Sequence, residues 1–186
     1  MKGRTPHGVP RFLLNDFARY WRTVTVDYVY KQWSRGTTGW ALRNAKLRMS
    51  RKLIFASGLL MCFFVADPER DVQVIDPVRR RLETTDQLAR LTNRAPLDLL
   101  ADAFTRAPGL SEQARVAFDA YEEFLVMLGD PERRSHLDAL SMDHADDDAV
   151  FQQVRDMGRR FQSSLTALFT KDDSPFRSLT MEYGIF

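Results

Sequence analysis

Apolar side chains recur every three or four residues through most of this 186-residue chain. Because an α-helix completes a turn every 3.6 residues, this spacing gives each segment one apolar face. The segments that carry the pattern are 11–33, 39–66, 78–92, 96–106, 112–128, 131–141 and 147–170. We therefore expect an all-α fold, a helical bundle of about six to seven helices with a docked aromatic C-terminal tail at 174–186.

Glycine, proline and small polar residues mark the ends of these segments. Pro96 and Pro131 sit where a first helical turn would begin, and Asp130 is placed to cap the helix that follows it. Gly129 is expected to stop the preceding helix, and Thr38 to cap the helix after the turn at 35–39.

Proline and aspartate cluster between residues 67 and 77, which is the clearest boundary in the chain. The sequence divides there into a helical hairpin at 1–66, a linker at 67–77 and a helical subdomain at 78–186, within what we expect to be one compact domain. The segment Val72–Ile75 is the one candidate for a short extended stretch.

The two sides of this boundary carry opposite charge. Residues 1–66 have twelve Lys or Arg against two acids, a net charge of +10, whereas residues 67–186 have fifteen against twenty-three, a net charge of −8. From Gln32 to Ala66 there is no acid at all. Such a concentration of positive charge repels itself unless an anion relieves it, and both phosphates and the acidic half of the same chain qualify.

The apolar run Leu53–Ala66 is the one membrane candidate. Its 14 residues fall short of the roughly 20 needed to span a bilayer, which favours a core helix. The single cysteine, Cys62, lies inside this run and is predicted to be a buried, inert thiol. Together these features favour a cytoplasmic protein that does not enter the membrane.

Two segments of the basic half share the pattern Asn-x3-Arg-x2-Arg. The first comprises Asn15, Arg19 and Arg22, and the second comprises Asn44, Arg48 and Arg51, with Lys46 beside it. On a helix, positions i, i+4 and i+7 fall on one face. Guanidinium groups donate paired hydrogen bonds to phosphate, and amides can orient a base or a sugar.

These two rows form the predicted phosphate-binding set: Asn15, Asp16, Arg19, Arg22, Asn44, Lys46, Arg48 and Arg51. If the turn at 35–39 folds the two helices antiparallel, both rows could face one groove. Asp16 is placed to hold Arg19, although such a pair is also an ordinary helix-surface contact.

Aromatic residues interleave with these basic residues. Such residues stack on nucleic-acid bases in some proteins, but their helical spacing here favours core packing. The aromatic side chains concerned are Trp21, Trp33, Trp40, Tyr20, Tyr28 and Tyr30.

The acidic run Asp143–Asp148 resembles a metal site only superficially. It directly precedes a helix, so a cap with acids in the first helical turn explains it better than a metal. Nor does the sequence contain a phosphate-binding loop, a dinucleotide fingerprint, a nucleophile elbow or a zinc-protease motif. It therefore predicts no catalytic residues and no intrinsic cofactor.

Three stretches carry a resemblance to a known family. Phe12–Thr23, Leu42–Arg51 and the ending Leu179–Phe186 resemble the C-terminal helical half of bacterial nucleotidyltransferase-like proteins of the DNA polymerase β superfamily. The resemblance implies basic N-terminal helices that flank a nucleotide or polynucleotide cleft.

Enzymes of that family also carry a catalytic domain with a Gly-Ser motif and an Asp-x-Asp pair that bind two Mg²⁺, and no such combination occurs here. The resemblance thus implies a non-catalytic helical module. Mg²⁺ enters only if a catalytic partner domain supplies it. The alternative is a protein-interaction or regulatory bundle, similar to an antitoxin, whose basic helices dock an acidic partner.

Overall fold

The computed structural model describes residues 8–34, 38–66 and 77–184. Most of the linker, including Val72–Ile75, lies outside the described residues. Within the described ranges the chain is helical and forms no strand. The helices are α1 (Arg11–Ser34), α2 (Trp40–Lys46), α3 (Lys52–Val65), α4 (Pro77–Thr92), α5 (Pro96–Thr105), α6 (Ser111–Gly129), α7 (Pro131–Ala139), α8 (Ala149–Thr170) and α9 (Arg177–Tyr183).

Helices α2 and α3 are joined by a π-helical turn at Leu47–Arg51. The residues on either side of this turn, Lys46 and Lys52, both keep right-handed helical backbone angles. The chain is therefore helical without a break from Trp40 to Val65, as the apolar pattern predicts, but with one locally widened turn. Such turns occur frequently at functional sites.

Helix α3 forms the centre of the core, as its apolar sequence predicts. It packs against α1, α4 and α5, while α6 and α8 form the most extensive helix pair. Buried side chains from the basic and the acidic halves belong to one continuous cluster, exemplified by Leu60, Phe124 and Phe161. The all-α bundle is confirmed. No helix in the described part of the chain combines the length and apolar character needed to cross a bilayer.

The start of α2 is tied to the end of α7. The Gly39 N–H donates to the Asp138 carbonyl at 2.8 Å, and the Trp40 indole Nε1–H donates to the Leu140 carbonyl at 2.7 Å. Gly39 has φ of 66°, the left-handed conformation that glycine adopts most readily. The predicted cap at Thr38 is therefore wrong, because Gly39 occupies the cap position and no side chain caps this helix.

The predicted cap at Asp130 and the predicted docking of the C-terminal tail are both confirmed. Asp130 accepts hydrogen bonds from the N–H groups of Glu132 and Arg133 at the start of α7. In the tail, Phe176 is buried with its ring edge against Phe64, at 5.7 Å between centroids. The aromatic tail thus docks as expected, although Phe186 lies outside the described residues.

Candidate phosphate-binding surface

Helix α1 packs antiparallel on the α2–α3 rod. The Phe17 ring lies directly against Gly58, and the Trp21 ring stacks on Phe55 with centroids 5.3 Å apart. Later residues of α1 thus contact earlier residues of the rod.

The first Asn-Arg-Arg row lies on the solvent side of α1. Asn15, Arg19 and Arg22 are all exposed, and they alternate with the residues that face α3. Asp16 lies 3.7 Å from Arg19, but both side chains are about two-thirds exposed. Such a pair contributes only a few tenths of a kcal/mol. The row is therefore available to a ligand.

The same exposed face of α1 continues into apolar residues. Val26, Tyr30 and Trp33 follow Arg22 at helical spacing, and Trp33 is 81% exposed. The centroids of the Tyr30 and Trp33 rings lie 6.1 Å apart. We call Asn15, Arg19, Arg22, Val26, Tyr30 and Trp33 the outer stripe.

Core packing was the expectation for all of the aromatic residues in this region, and it fails for two of them. Trp40 is buried in an edge-on contact with Phe151, with ring centroids 4.7 Å apart, and Trp21 is stacked on Phe55. Tyr30 and Trp33 are instead left exposed at the end of α1. Tyr30 and Trp33 do follow the helical spacing, but no second helix covers their face of α1 in the part of the chain that the structure describes.

The second row is held between helices. The Asn44 Nδ2 group donates to the Tyr28 hydroxyl at 3.0 Å, and Arg48 Nε donates to Asn44 Oδ1 at 2.6 Å. The Arg48 stem lies against Gly158 of α8, where an added Cβ would be 3.0 Å from Arg48 Cδ. Asn44 and Arg48 are thus fixed in place by α1 and α8.

Arg51 completes the second row, and Lys46 lies beside the row. Lys46 is exposed and Arg51 is partly exposed. The two rows do not line one groove, which corrects that expectation. Asn15 and Arg19 point to solvent from α1, whereas Asn44 contacts the Tyr28 side chain at the packed side of the same helix.

Lys52 is a candidate that the sequence pattern missed. It lies one turn after Arg48, and its Nζ donates to Gln162 Oε1 on α8. Burial removes water from this ammonium group and Arg48 adds like-charge repulsion, so the pKa of Lys52 is lowered from its usual value. The i, i+4 spacing of the two cations is visible in the sequence, but the burial depends on α8.

Among the described residues, no ion pair joins the basic first half of the chain to the acidic second half. Each described ion pair joins groups within the same half of the chain, such as Arg19 with Asp16 or Arg160 with Glu123. Arg22, Arg48 and Lys52 form no ion pair with any described carboxylate. These cations are therefore not paired with a carboxylate in the part of the chain that the structure describes.

Arg43 has buried donors without acceptors. Its Nε and Nη2 atoms are fully buried, and neither has a hydrogen-bond partner in the described structure. A Cβ placed on Gly39 would lie 3.2 Å from Arg43 Nη1 and 2.6 Å from Asp138 Oδ1. A side chain at position 39 would therefore clash with its neighbours, and the backbone angles at this position also favour glycine.

Asp148 caps α8 as expected, but the other acids of the run precede the helix and none lies in its first turn. Asp148 Oδ1 accepts from the Phe151 N–H at 2.7 Å, and Asp148 Oδ2 lies 2.6 Å from His136 Nε2. Burial alone would raise the pKa of Asp148, but these hydrogen bonds outweigh it, and the pKa is lowered. No group of three or more potential metal ligands occurs among the described residues.

Comparison with known proteins identifies no relative: no protein-family model, no curated protein and no solved structure matches the chain.

Proposed function

We propose that this chain is a helical module that binds the phosphates of a nucleotide or nucleic acid through its basic N-terminal helices. The observation that carries the proposal is the positive charge of α1 and the α2–α3 rod, whose only ion pairs in the described part of the chain are with Asp16 and Asp27 of α1 itself. The resemblance to the helical half of nucleotidyltransferase-like proteins agrees with this role. Catalysis, with its Mg²⁺, would then belong to a separate domain, and the cytoplasm is the fitting compartment.

The outer stripe supports a single-stranded ligand. Arg19 and Arg22 offer guanidinium groups to the backbone, and Tyr30 and Trp33 lie farther along the same face. Proteins that bind single strands combine basic residues with aromatic side chains on which bases stack. Arg22 and Tyr30 are eight residues apart on one helix, or about 12 Å, a distance that a short strand spans easily.

The test is binding of labelled single-stranded RNA and DNA at low and moderate salt, measured by fluorescence anisotropy. The double variant Arg19→Glu/Arg22→Glu is compared with Arg90→Glu/Arg134→Glu, which makes the same charge change at exposed positions of α4 and α7. We expect the first variant to lose affinity at least about tenfold and to flatten the salt dependence by roughly one to two units of slope. Equal binding by both variants would overturn the proposal.

A second candidate is a protein-interaction module that docks an acidic partner. It is favoured by Val26 and Val29, two exposed aliphatic side chains beside Trp33 that have no role in stacking on bases. Salt separates phosphate binding from docking that is carried by these apolar side chains, because phosphate binding weakens steeply with ionic strength whereas an apolar interface does not. Replacing Val26 and Val29 with serine would weaken protein docking and leave strand binding nearly unchanged.

A further inference from the structure

We propose that Arg48 and Lys52 together hold one terminal phosphate group of the ligand, at the seam between the π-turn and α8. This inference rests on the proposed function, since it adds to phosphate binding a site for a doubly charged group. The outer stripe would contact the singly charged phosphates within a strand. The Arg48–Lys52 pair would contact a strand's 5′-phosphate or the end of a nucleoside triphosphate.

The first argument is the position of the two cations. The Arg48 stem lies against Gly158, and Lys52 Nζ donates to Gln162. A step of four residues along the rod therefore corresponds to a step of four residues along α8. The rod and α8 therefore run side by side in the same direction at this point. Both cations lie along this seam, one helical turn apart.

The second argument concerns the N–H donors of Arg48 and Lys52 that have no acceptor in the described structure. Asn44 occupies only Nε of Arg48, and in the described structure the two terminal nitrogens of the guanidinium have no acceptor. Lys52 uses one of its three N–H donors on Gln162. A guanidinium fork and an adjacent ammonium group suit a phosphate, which accepts through several oxygens.

The third argument is charge. Two like charges one turn apart repel each other, and no described carboxylate pairs with either of them. Burial and, to a smaller extent, this repulsion lower the pKa of Lys52. A terminal phosphate carries about two negative charges at neutral pH, whereas a phosphate within a strand carries one. A terminal phosphate therefore matches the pair in charge.

The geometry of the pair depends on residues that are already fixed. Asn44 orients Arg48, and Asn44 is in turn held by the Tyr28 hydroxyl of α1. Gly158 allows the rod to approach α8 closely enough for the Arg48 stem to pack there. The π-turn that contains Arg48 ends one residue before Lys52.

The experiment measures binding of inorganic pyrophosphate, ATP, and matched strands with a 5′-phosphate or a 5′-hydroxyl, by isothermal titration calorimetry. The test variant is Arg48→Gln/Lys52→Gln. The charge-matched control is Arg134→Gln/Lys171→Gln, at exposed positions of α7 and at the end of α8. We expect the test variant to lose pyrophosphate affinity by about tenfold or more, and the control to change less than about twofold.

The ligand arms identify the source of the phosphate. A preference of the wild-type protein for the 5′-phosphorylated strand that disappears in the test variant assigns the site to strand ends. A loss confined to ATP and pyrophosphate assigns it to a nucleotide. If the wild-type protein binds strands and ATP and the test variant binds every probe equally well, this inference is overturned while the proposed function stands. If the wild-type protein binds no phosphate probe at low salt, both fail.

A second readout guards against misfolding of the double variant. The Lys52 ammonium can be titrated by NMR in the folded wild-type protein, with and without pyrophosphate. We expect pyrophosphate to raise the pKa of Lys52, because a bound anion favours the charged form. An unchanged pKa at saturating pyrophosphate would overturn the inference. The conservative variant Arg48→Lys keeps the charge but loses the fork, and it should retain intermediate affinity.

Discussion

The contact between Gly58 and Phe17 sets how closely α1 approaches α3, and it can be tested by one methyl group. In a Gly58→Ala variant, the added Cβ would lie 2.3–2.6 Å from three atoms of the Phe17 ring, including Cγ. Carbon atoms normally pack about 3.5–4.0 Å apart, so the ring would have to move by about 1 Å or more. Rotating the ring about its own axis leaves Cγ in place, so either the χ1 angle of Phe17 or the position of α1 must change.

The expected loss of stability follows from two opposing terms. Overpacking of this kind costs about 1–3 kcal/mol. Replacing a glycine inside a helix with alanine returns about 0.5–1 kcal/mol. We therefore expect the free energy of unfolding to fall by roughly 0.5–2 kcal/mol, which lowers Tm by about 1–8 °C for a chain of this size.

The assay is urea unfolding followed by circular dichroism, with linear extrapolation to water. Gly129→Ala is the matched control, because no atom lies within 4 Å of its added Cβ, and it should be neutral or slightly stabilising. In a Phe17→Ala background, Gly58→Ala should lose most of its penalty. A Gly58→Ala variant as stable as Gly129→Ala would refute the close approach of α1 and α3.

Three further outcomes follow from individual side chains. Arg43→Met removes two buried donors that lack acceptors, so Tm should rise by an amount equivalent to about 1 kcal/mol, whereas a fall would show that these donors are satisfied in solution. Asp148→Ala removes the α8 cap and should cost about 1 kcal/mol at neutral pH. Because the pKa of Asp148 is lowered in the folded state, this contribution is present above about pH 4 and is lost as the pH falls through the folded pKa. Urea unfolding at several pH values should therefore show the difference between wild type and Asp148→Ala shrinking in acid, and a constant difference would contradict this. Burial raises the pKa of Cys62 to about 12, so a thiol reagent should modify it only at the rate of unfolding, and immediate labelling of the native protein would be inconsistent with its burial.

Local pattern alone predicted most of the helices. α8 was expected at 147–170 and is found at Ala149–Thr170, because its apolar face repeats regularly and Asp148 caps it. Thr38 does not cap α2, because a contact with α7 places the start of the helix at Gly39. The Gly39 N–H donates to the Asp138 carbonyl, and Gly39 adopts a left-handed backbone conformation that the local sequence did not predict.

The candidate site was harder to predict, because a helical face does not say what will cover it. Trp21 and Trp33 are both aromatic residues at helical spacing in α1, yet Trp21 meets Phe55 while Trp33 remains exposed. Likewise, the sequence does not distinguish Lys52 from the other basic residues. In the structure, α8 gives Lys52 a hydrogen-bond acceptor, Gln162, and a partly buried environment. Both outcomes depend on long-range packing.

The π-turn at Leu47–Arg51 makes the position of a deletion in this segment as important as its composition. The widened turn accommodates one residue more than a regular α-helical turn. Removing one residue inside it would therefore restore a regular α-helix and leave Trp40 and Ala45 on the same side as Leu53 and Leu60. Removing one residue between Leu53 and Leu60 would instead rotate everything before the deletion by about 100° relative to Leu60, so we expect that deletion to be tolerated less well than one within the turn.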